Sequence, residues 1–220
     1  MNILITAATD IELQQITKKM QPIENHNIDF CMTGIGCTAT AFELTKKLLN
    51  SNVNLALNAG IAGSFNENIS VGDVVVVESE TFGALGITYR DRFATLFDEG
   101  LADKNKEPFI DGKLICPHIN NFNLSDLKRA KGLTVDAASG EKKQIEQLKK
   151  MFCADIETME GAAFFYVCSK LNFPFLEFRA ISNHIEPRDK CKWNITLAMS
   201  NLANEILNFL NNLQTQNIAP

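Results

Sequence analysis

Short apolar runs rich in β-branched residues alternate along this chain with segments whose apolar residues recur at helical spacing. That alternation restricts the fold most, because strand–helix–strand units build a sheet whose faces are covered by helices. Residues 2–8 read as an apolar strand ending at Thr9-Asp10, either of which suits the cap of a helix carrying Leu13, Ile16 and Met20. A second strand, 28–33, runs into Gly34-Ile35-Gly36 and a helix with Ala41, Leu44, Thr45 and Leu48 on one face. Strand 53–57 leads into Asn58-Ala59-Gly60-Ile61-Ala62-Gly63-Ser64, and Val74-Val75-Val76-Val77 suits a strand buried on both faces. The stretch 82–131 is the least regular, with Gly83, Gly86, Gly100, Pro108, Gly112 and Pro117 spread through it. Strand 132–136, a charged helix 141–150, strand 152–156, helix 159–171 and strand 174–181 follow. A last helix presents Leu202, Ile206, Phe209, Leu210 and Leu213, with a frayed tail expected beyond. The class is α/β, and 220 residues suit one domain spanning 1–220.

Composition narrows the partners. A net charge of −5 disfavours nucleic acid, which needs clustered Lys and Arg. No apolar run approaches the ~18 residues of a membrane span, and the N-terminus enters Ile3-Leu4-Ile5 directly, as a first strand would. Six cysteines lack Cys-x-x-Cys spacing and read as reduced, buried thiols, so a cytoplasmic protein with no membrane partner is expected.

Gly34-x-Gly36-x-x-Ala39 superficially fits a dinucleotide fingerprint, but Leu55-Ala56-Leu57-Asn58 offers no carboxylate for the ribose. A tight turn with close helix packing is the better reading. His26, His118 and His184 lie far apart without metal-ligand spacing, so no metal and no cofactor are expected. No Gly-x-Ser-x-Gly elbow is present, and nothing around Cys31 or Cys37 marks either as a nucleophile.

Three sets of polar residues interrupt apolar context where strands end and helices begin: Glu12, then Glu157 with Glu160, then Arg179, Ser182 and Asn183. Ligands of open α/β sheets collect at that rim. Each also has a plainer explanation. Glu12 and Glu160 could complement helix dipoles, Arg179 could be a structural partner of either acid, and Asn183 could be a turn residue.

Taken in order, Glu12, Gly34-Ile35-Gly36, Asn58-Ala59-Gly60-x-Ala62-Gly63, Val71-Gly72-Asp73-Val74-Val75, Met159-Glu160-Gly161-Ala162 and Arg179-Ala180-Ile181-Ser182-Asn183 form a series. That series resembles the nucleoside phosphorylase and nucleosidase superfamily, closest to its methylthioadenosine/S-adenosylhomocysteine nucleosidase branch. The resemblance implies a nucleoside phosphorylase-like three-layer αβα sandwich with a central mixed sheet, assembled as a homodimer or higher homo-oligomer. It implies that Glu12 deprotonates the attacking water, and that Met159 and Glu160 hold the ribose with Arg179 beside them. Ser182 and Asn183 would meet the purine, and Ile35, Gly60 and Ile61 would line the substrate site. Residues 7–10 carry no Arg or Lys for phosphate, which favours hydrolysis.

Two departures bear on the substrate, a purine nucleoside. Asn183 stands where the nucleosidase branch has an aspartic acid, and a neutral donor suits the O6/N7 edge of a 6-oxopurine while still fitting the N6/N7 edge of adenine. Glu186-Pro187-Arg188-Asp189-Lys190-Cys191-Lys192-Trp193-Asn194-Ile195 is similar to the signature of the futalosine hydrolase family, which releases hypoxanthine from a nucleoside of menaquinone biosynthesis. Trp193 would then cover the aromatic 5′ group, with Arg188, Lys190, Arg90 and Arg92 as candidates for its carboxylate. The competing readings are an adenine-releasing nucleosidase, a purine nucleoside phosphorylase and a catalytically silent nucleoside binder. A basic surface loop anchored by Trp193 is the plainer account of 186–195.

Overall fold

The structure, a computed structural model, describes residues 1–90, 92–187 and 192–213. Its elements in chain order are β1 (Asn2–Ala7), α1 (Asp10–Lys19), β2 (Asn27–Met32), α2 (Cys37–Leu49), β3 (Leu55–Ser64) and β4 (Val74–Phe82), then the short β5 (Gly86–Thr88), β6 (Phe93–Thr95), β7 (Phe109–Ile110) and β8 (Lys113–Ile115). β9 (Lys128–Thr134), α3 (Lys142–Phe152), β10 (Ile156–Thr158), α4 (Gly161–Lys170), β11 (Phe175–His184) and α5 (Ile195–Leu213) complete it.

β1, β2 and β3 are parallel neighbours with β1 in the middle, so the chain steps one way to β2 and back past β1 to β3. Right-handed crossovers in opposite directions put α1 and α2 on opposite faces. Accordingly α1 packs with α5 and α2 with α4, and the mixed sheet lies between the two pairs. This is the α/β sandwich that the motif series implied.

The far half of the sheet closes on itself. β3 pairs in parallel with β11, β11 antiparallel with β4, β4 in parallel with β9, β9 in parallel with β10, and β10 antiparallel with β3. β3 can belong to both halves because one of its edges serves β1 at Leu55–Asn58 and β10 at Gly63–Ser64. Sequence periodicity stopped this strand at residue 57, whereas it continues through the glycines to Ser64. Glycine in a strand marks close approach of other groups, and Gly60 and Gly63 both serve that purpose below.

The core is continuous along β1, β3, β4, β11 and α5, with Leu4, Ile5, Leu57, Val76, Phe178 and Leu210 fully shielded. Phe65, Leu133, Val135, Ile145 and Ile185 form a smaller cluster that seats α3. The strand expected at 152–156 lies instead at Ile156–Thr158, because α3 runs on to Phe152 and stops at Cys153 in the left-handed conformation (φ +48°). The irregular stretch holds β5 to β8, a short 3-10 turn at Ile119–Asn121 and the start of β9. Among the described residues no helix is long and apolar enough to cross a membrane.

Candidate active site

Strand order reverses at β1 and β3, and a cavity of about 470 Å³ opens beyond their carboxyl ends, between α1, α4 and the end of β11. Thr9 starts one wall by capping α1. Its Oγ1 accepts the Glu12 N–H (3.4 Å), and its own N–H donates to Glu12 Oε2 (3.0 Å), a reciprocal capping box. The Thr9 hydroxyl also donates to Oε2 (2.8 Å), while Ile61 N–H on β3 donates to Oε1 (3.2 Å). A helix cap thus fixes a buried carboxylate that lines the cavity.

Arg179, the largest fully buried side chain, sits beside it. It is the register partner of Gly60, and a Cβ there would fall 3.2 Å from Arg179 Cζ and 3.1 Å from Glu12 Oε1. Only a bare backbone lets the guanidinium cross β3. Arg179 Nε donates to Glu177 Oε1 (2.6 Å), and Nη1 lies 3.6 Å from Glu160 Oε2. Burial opposes the arginine's charge, but Glu177, Glu160 and Glu12 outweigh it and hold the group cationic. Glu160 in turn accepts the Gly36 N–H at Oε1 (3.0 Å). The Gly34–Gly36 turn, with φ of +80° and +87°, therefore delivers a backbone donor to a carboxylate, and a Cβ on Gly34 would meet Ala39 at 3.0 Å, the close helix packing expected of it.

Behind this layer, inside the closed ring of strands, sits a second acid. Glu80 is fully buried and accepts hydrogen bonds from Thr134 Oγ1 (2.8 Å) and Thr158 Oγ1 (3.1 Å). Thr134 Oγ1 also receives the Ala162 N–H (2.7 Å), so the acid ties β9, β10 and the first turn of α4 together. Gly132 and Gly161 make room for it, since a Cβ at either would lie 2.5 Å from Glu80 Cδ. Burial and the nearby Glu177 charge push the Glu80 carboxyl well above the usual range. Burial also raises Glu177, against the pull of Arg179.

An amide also lines the cavity. Asn183 Oδ1 accepts the Ser182 hydroxyl (2.8 Å) and Nδ2 donates to His184 O (3.0 Å), which fixes the amide and leaves its second N–H for a ligand. Ser182 Oγ also reaches Ala62 O (3.3 Å). Glu157 faces the same space, accepting Ser139 N–H (2.9 Å) and a short bond from the Ser139 hydroxyl. Met159, Ile35, Ile61 and Trp193 line the cavity, with Ile11, Ile195 and Met199 adding apolar surface.

The structure thus brings Glu12, Ile35, Ile61, Met159, Glu160, Ser182, Asn183 and Trp193 to one cavity, with Arg179 and Gly60 directly behind Glu12. Arg188 and Lys190 lie outside the described residues. Arg90 and Arg92 do not line the cavity: both are exposed by the β5–β6 turn, where Arg92 meets Glu99 (3.3 Å) and the Tyr89 ring. Cys37 stays a thiol, its pKa pushed up to about 11 by burial and by the charges of Asp136, Glu80 and Glu160. Sequence reasoning missed Glu80, Glu177 and Ser139. Glu177 was open to detection, because Glu177-Phe178-Arg179 places acid and base on one face of a strand.

Known proteins share this chain's sequence pattern and fold. The Phosphorylase superfamily profile matches residues 15–211. The chain is 33% identical over 182 residues to futalosine hydrolase of Thermus thermophilus, covering 81% of this chain and 79% of that one. It is 26% identical over 219 residues to 5'-methylthioadenosine/S-adenosylhomocysteine nucleosidase of Buchnera aphidicola, covering 94% and 83%. The solved futalosine hydrolase of Helicobacter pylori superposes with a TM-score of 0.79 at 18% identity, covering 96% of this chain and 97% of that one. The chain belongs to the phosphorylase superfamily, as a relative of the nucleosidases and hydrolases that act on N-glycosyl bonds.

Proposed function

We propose that this chain hydrolyses the N-glycosidic bond of futalosine in the cytoplasm, releasing hypoxanthine and dehypoxanthine futalosine for menaquinone biosynthesis. The observation that carries it is a single cavity lined by both a fixed carboxylate, Glu12, and a fixed amide, Asn183. Three carboxylates line that cavity and, among the described residues, no Lys, Arg or His does. A phosphate dianion would be repelled there, so water is the nucleophile.

Cleavage of the C1′–N9 bond leaves positive charge on the sugar and an electron pair on the base. Glu12 takes a proton from water as its oxygen bonds to C1′, an assistance worth ~10²–10⁴ in rate. Glu160, steadied by Gly36 N–H and Arg179, accepts ribose hydroxyls beside Met159 and stabilises the cationic sugar. The free N–H of Asn183 donates to the O6/N7 edge, and hypoxanthine delocalises the leaving electrons onto O6. Trp193, Ile11 and Met199 offer an apolar, aromatic seat for the 5′ phenyl ketone. Exposed Phe42, Leu85, Leu101 and Tyr166 support assembly as a homodimer or higher homo-oligomer.

The test is chromatography of the base released from futalosine, methylthioadenosine and inosine, each with and without phosphate. Hypoxanthine should appear from futalosine without phosphate. Adenine from methylthioadenosine with futalosine untouched would replace this reading by the adenine-specific one, which the Buchnera relative favours.

A further inference from the structure

Glu80 is an acid the reaction above does not use, and the oxygens around it need a proton that only it can supply. Three oxygen–oxygen contacts close a ring: Thr134 Oγ1 to Glu80 Oε2 (2.8 Å), Thr158 Oγ1 to Glu80 Oε1 (3.1 Å) and Thr134 Oγ1 to Thr158 Oγ1 (2.9 Å). Each contact needs one proton, and two hydroxyls own two. The Ala162 N–H is directed at Thr134 Oγ1 (2.7 Å) and brings the ring no proton of its own. With an ionised Glu80, one contact would set lone pair against lone pair in a fully buried site. With the acid's own proton, all three contacts are hydrogen bonds, running either way round the ring.

The charges nearby favour the same form. Arg179 faces Glu177, Glu160 and Glu12 with one positive charge, and its 2.6 Å hydrogen bond goes to Glu177. A Cβ on Gly161 would lie 2.5 Å from Glu80 Cδ and 2.8 Å from Glu177 Oε1, so the two carboxyls flank one backbone position. Two buried acids that close resist ionising together, and Glu177 has the cation. β9 and β10 turn the Thr134 and Thr158 hydroxyls toward Glu80, while Glu157 is tied to Ser139 instead. β8 pairs there through Leu114, and α2 adds Cys37, a neutral thiol.

The ring brackets the segment proposed to hold the ribose. Thr158 comes immediately before Met159-Glu160, and Ala162, whose N–H is bonded to Thr134, comes just after. Glu160 starts α4 without a side-chain bond to that helix, its carboxylate reaching Gly36 N–H and Arg179. The backbone on either side therefore sets where that carboxylate stands. We propose that Glu80 is a positioning residue held as a neutral acid, whose proton closes the ring with Thr134 and Thr158 and so seats Met159 and Glu160 against the ribose. The seating of ribose rests on the nucleosidase reading above, whereas the proton in the ring does not.

Infrared difference spectra of wild type against Glu80→Gln at pH 7 read the proton. A protonated-carboxyl band absent from Glu80→Gln is expected, and it should shift in Thr158→Val, which opens the ring but keeps the acid. Base release from futalosine reads the seating. Glu80→Leu fills the space without donor or acceptor and should lower kcat/KM about 10–100-fold. Glutamine supplies both, so Glu80→Gln should recover most of that loss, which a merely space-filling role would not explain. A wild-type spectrum without the band, or a band unmoved in Thr158→Val, refutes the neutral acid. Glu80→Gln as slow as Glu80→Leu refutes the seating. Should Glu80→Leu not fold, Thr158→Val carries the kinetic arm: a loss of about 10-fold or more supports the seating, and a smaller one refutes it. Wild type that leaves futalosine intact defeats the hydrolase reading instead, and the infrared bands still decide the proton on Glu80.

Discussion

Gly60→Ala tests whether the catalytic layer depends on a missing side chain. The added methyl would sit 3.2 Å from Arg179 Cζ, 3.1 Å from Glu12 Oε1 and closer still to Arg179 Nη1. Carbon contacts are comfortable at ~3.5–4 Å, so the guanidinium must retreat by about 1 Å. It has nowhere to go, being 2% exposed and held at 2.6 Å by Glu177. Overpacking costs ~1–3 kcal/mol, and weakening a charged buried hydrogen bond adds ~1.5–3 kcal/mol, or roughly 3–5 kcal/mol together. For a domain of this size that lowers Tm by roughly 6–20 °C. A displacement near 1 Å at Glu12 and Glu160 should also cost on the order of 100-fold in kcat/KM. Thermal melts and base-release rates are the assays. Gly100→Ala is the control: φ is +66° with open space around it, so only ~1–2 kcal/mol of backbone strain is expected. A Gly60→Ala protein that melts within 2–3 °C of wild type, as ~1 kcal/mol would give, refutes the argument for an obligatory glycine.

The two buried acids should answer oppositely to amide replacement. Because the folded pKa of Glu80 lies well above its ordinary 4.5, the folded chain binds that proton more tightly, and the stability it contributes at low pH is lost as pH rises from about 4.5 through the folded value. Glu80→Gln removes this loss and should gain on wild type between urea melts at pH 5 and pH 8. Glu177→Gln deprives buried Arg179 of its nearest counter-charge and should cost ~3–5 kcal/mol in the same melts. Thr9→Ala removes the α1 cap, worth ~1 kcal/mol, and frees Glu12 Oε2 from the hydroxyl, so kcat should fall more than KM rises. Glu12→Gln should reduce turnover ~10²–10⁴-fold with hypoxanthine binding kept in calorimetry; near-normal turnover removes Glu12 as the base.

The parts of this molecule legible in the sequence follow local rules. Thr9 and Glu12 form a capping box within one helical turn, and the Val74–Val77 run becomes the buried start of β4. Convergence of Glu12, Glu160, Arg179 and Asn183 was expected from motif order and from where strands end. What escaped is long-range. Asn58 to Ser64 has the composition of a turn, and its pairing with β11, with Arg179 against Gly60 and Ile185 against Gly63, is a long-range contact. Glu80 reads as a solvated strand residue until β9, β10 and α4 close over it. The short strands β5 to β8 pair through hairpins that glycine-rich composition does not distinguish from loop.

The ring of strands has a consequence in time. β3 and β11 are joined along almost their whole lengths, yet they come from the first third and the last fifth of the chain. Glu12, the proposed base, precedes one, and Asn183, the proposed partner of the purine, lies near the end of the other. A nascent chain short of β11 owns Glu12 but neither its arginine nor its amide, and loop closure over so long a span is slow. The proposed site is therefore complete only when the last strand has paired with the third, which puts its assembly late in folding.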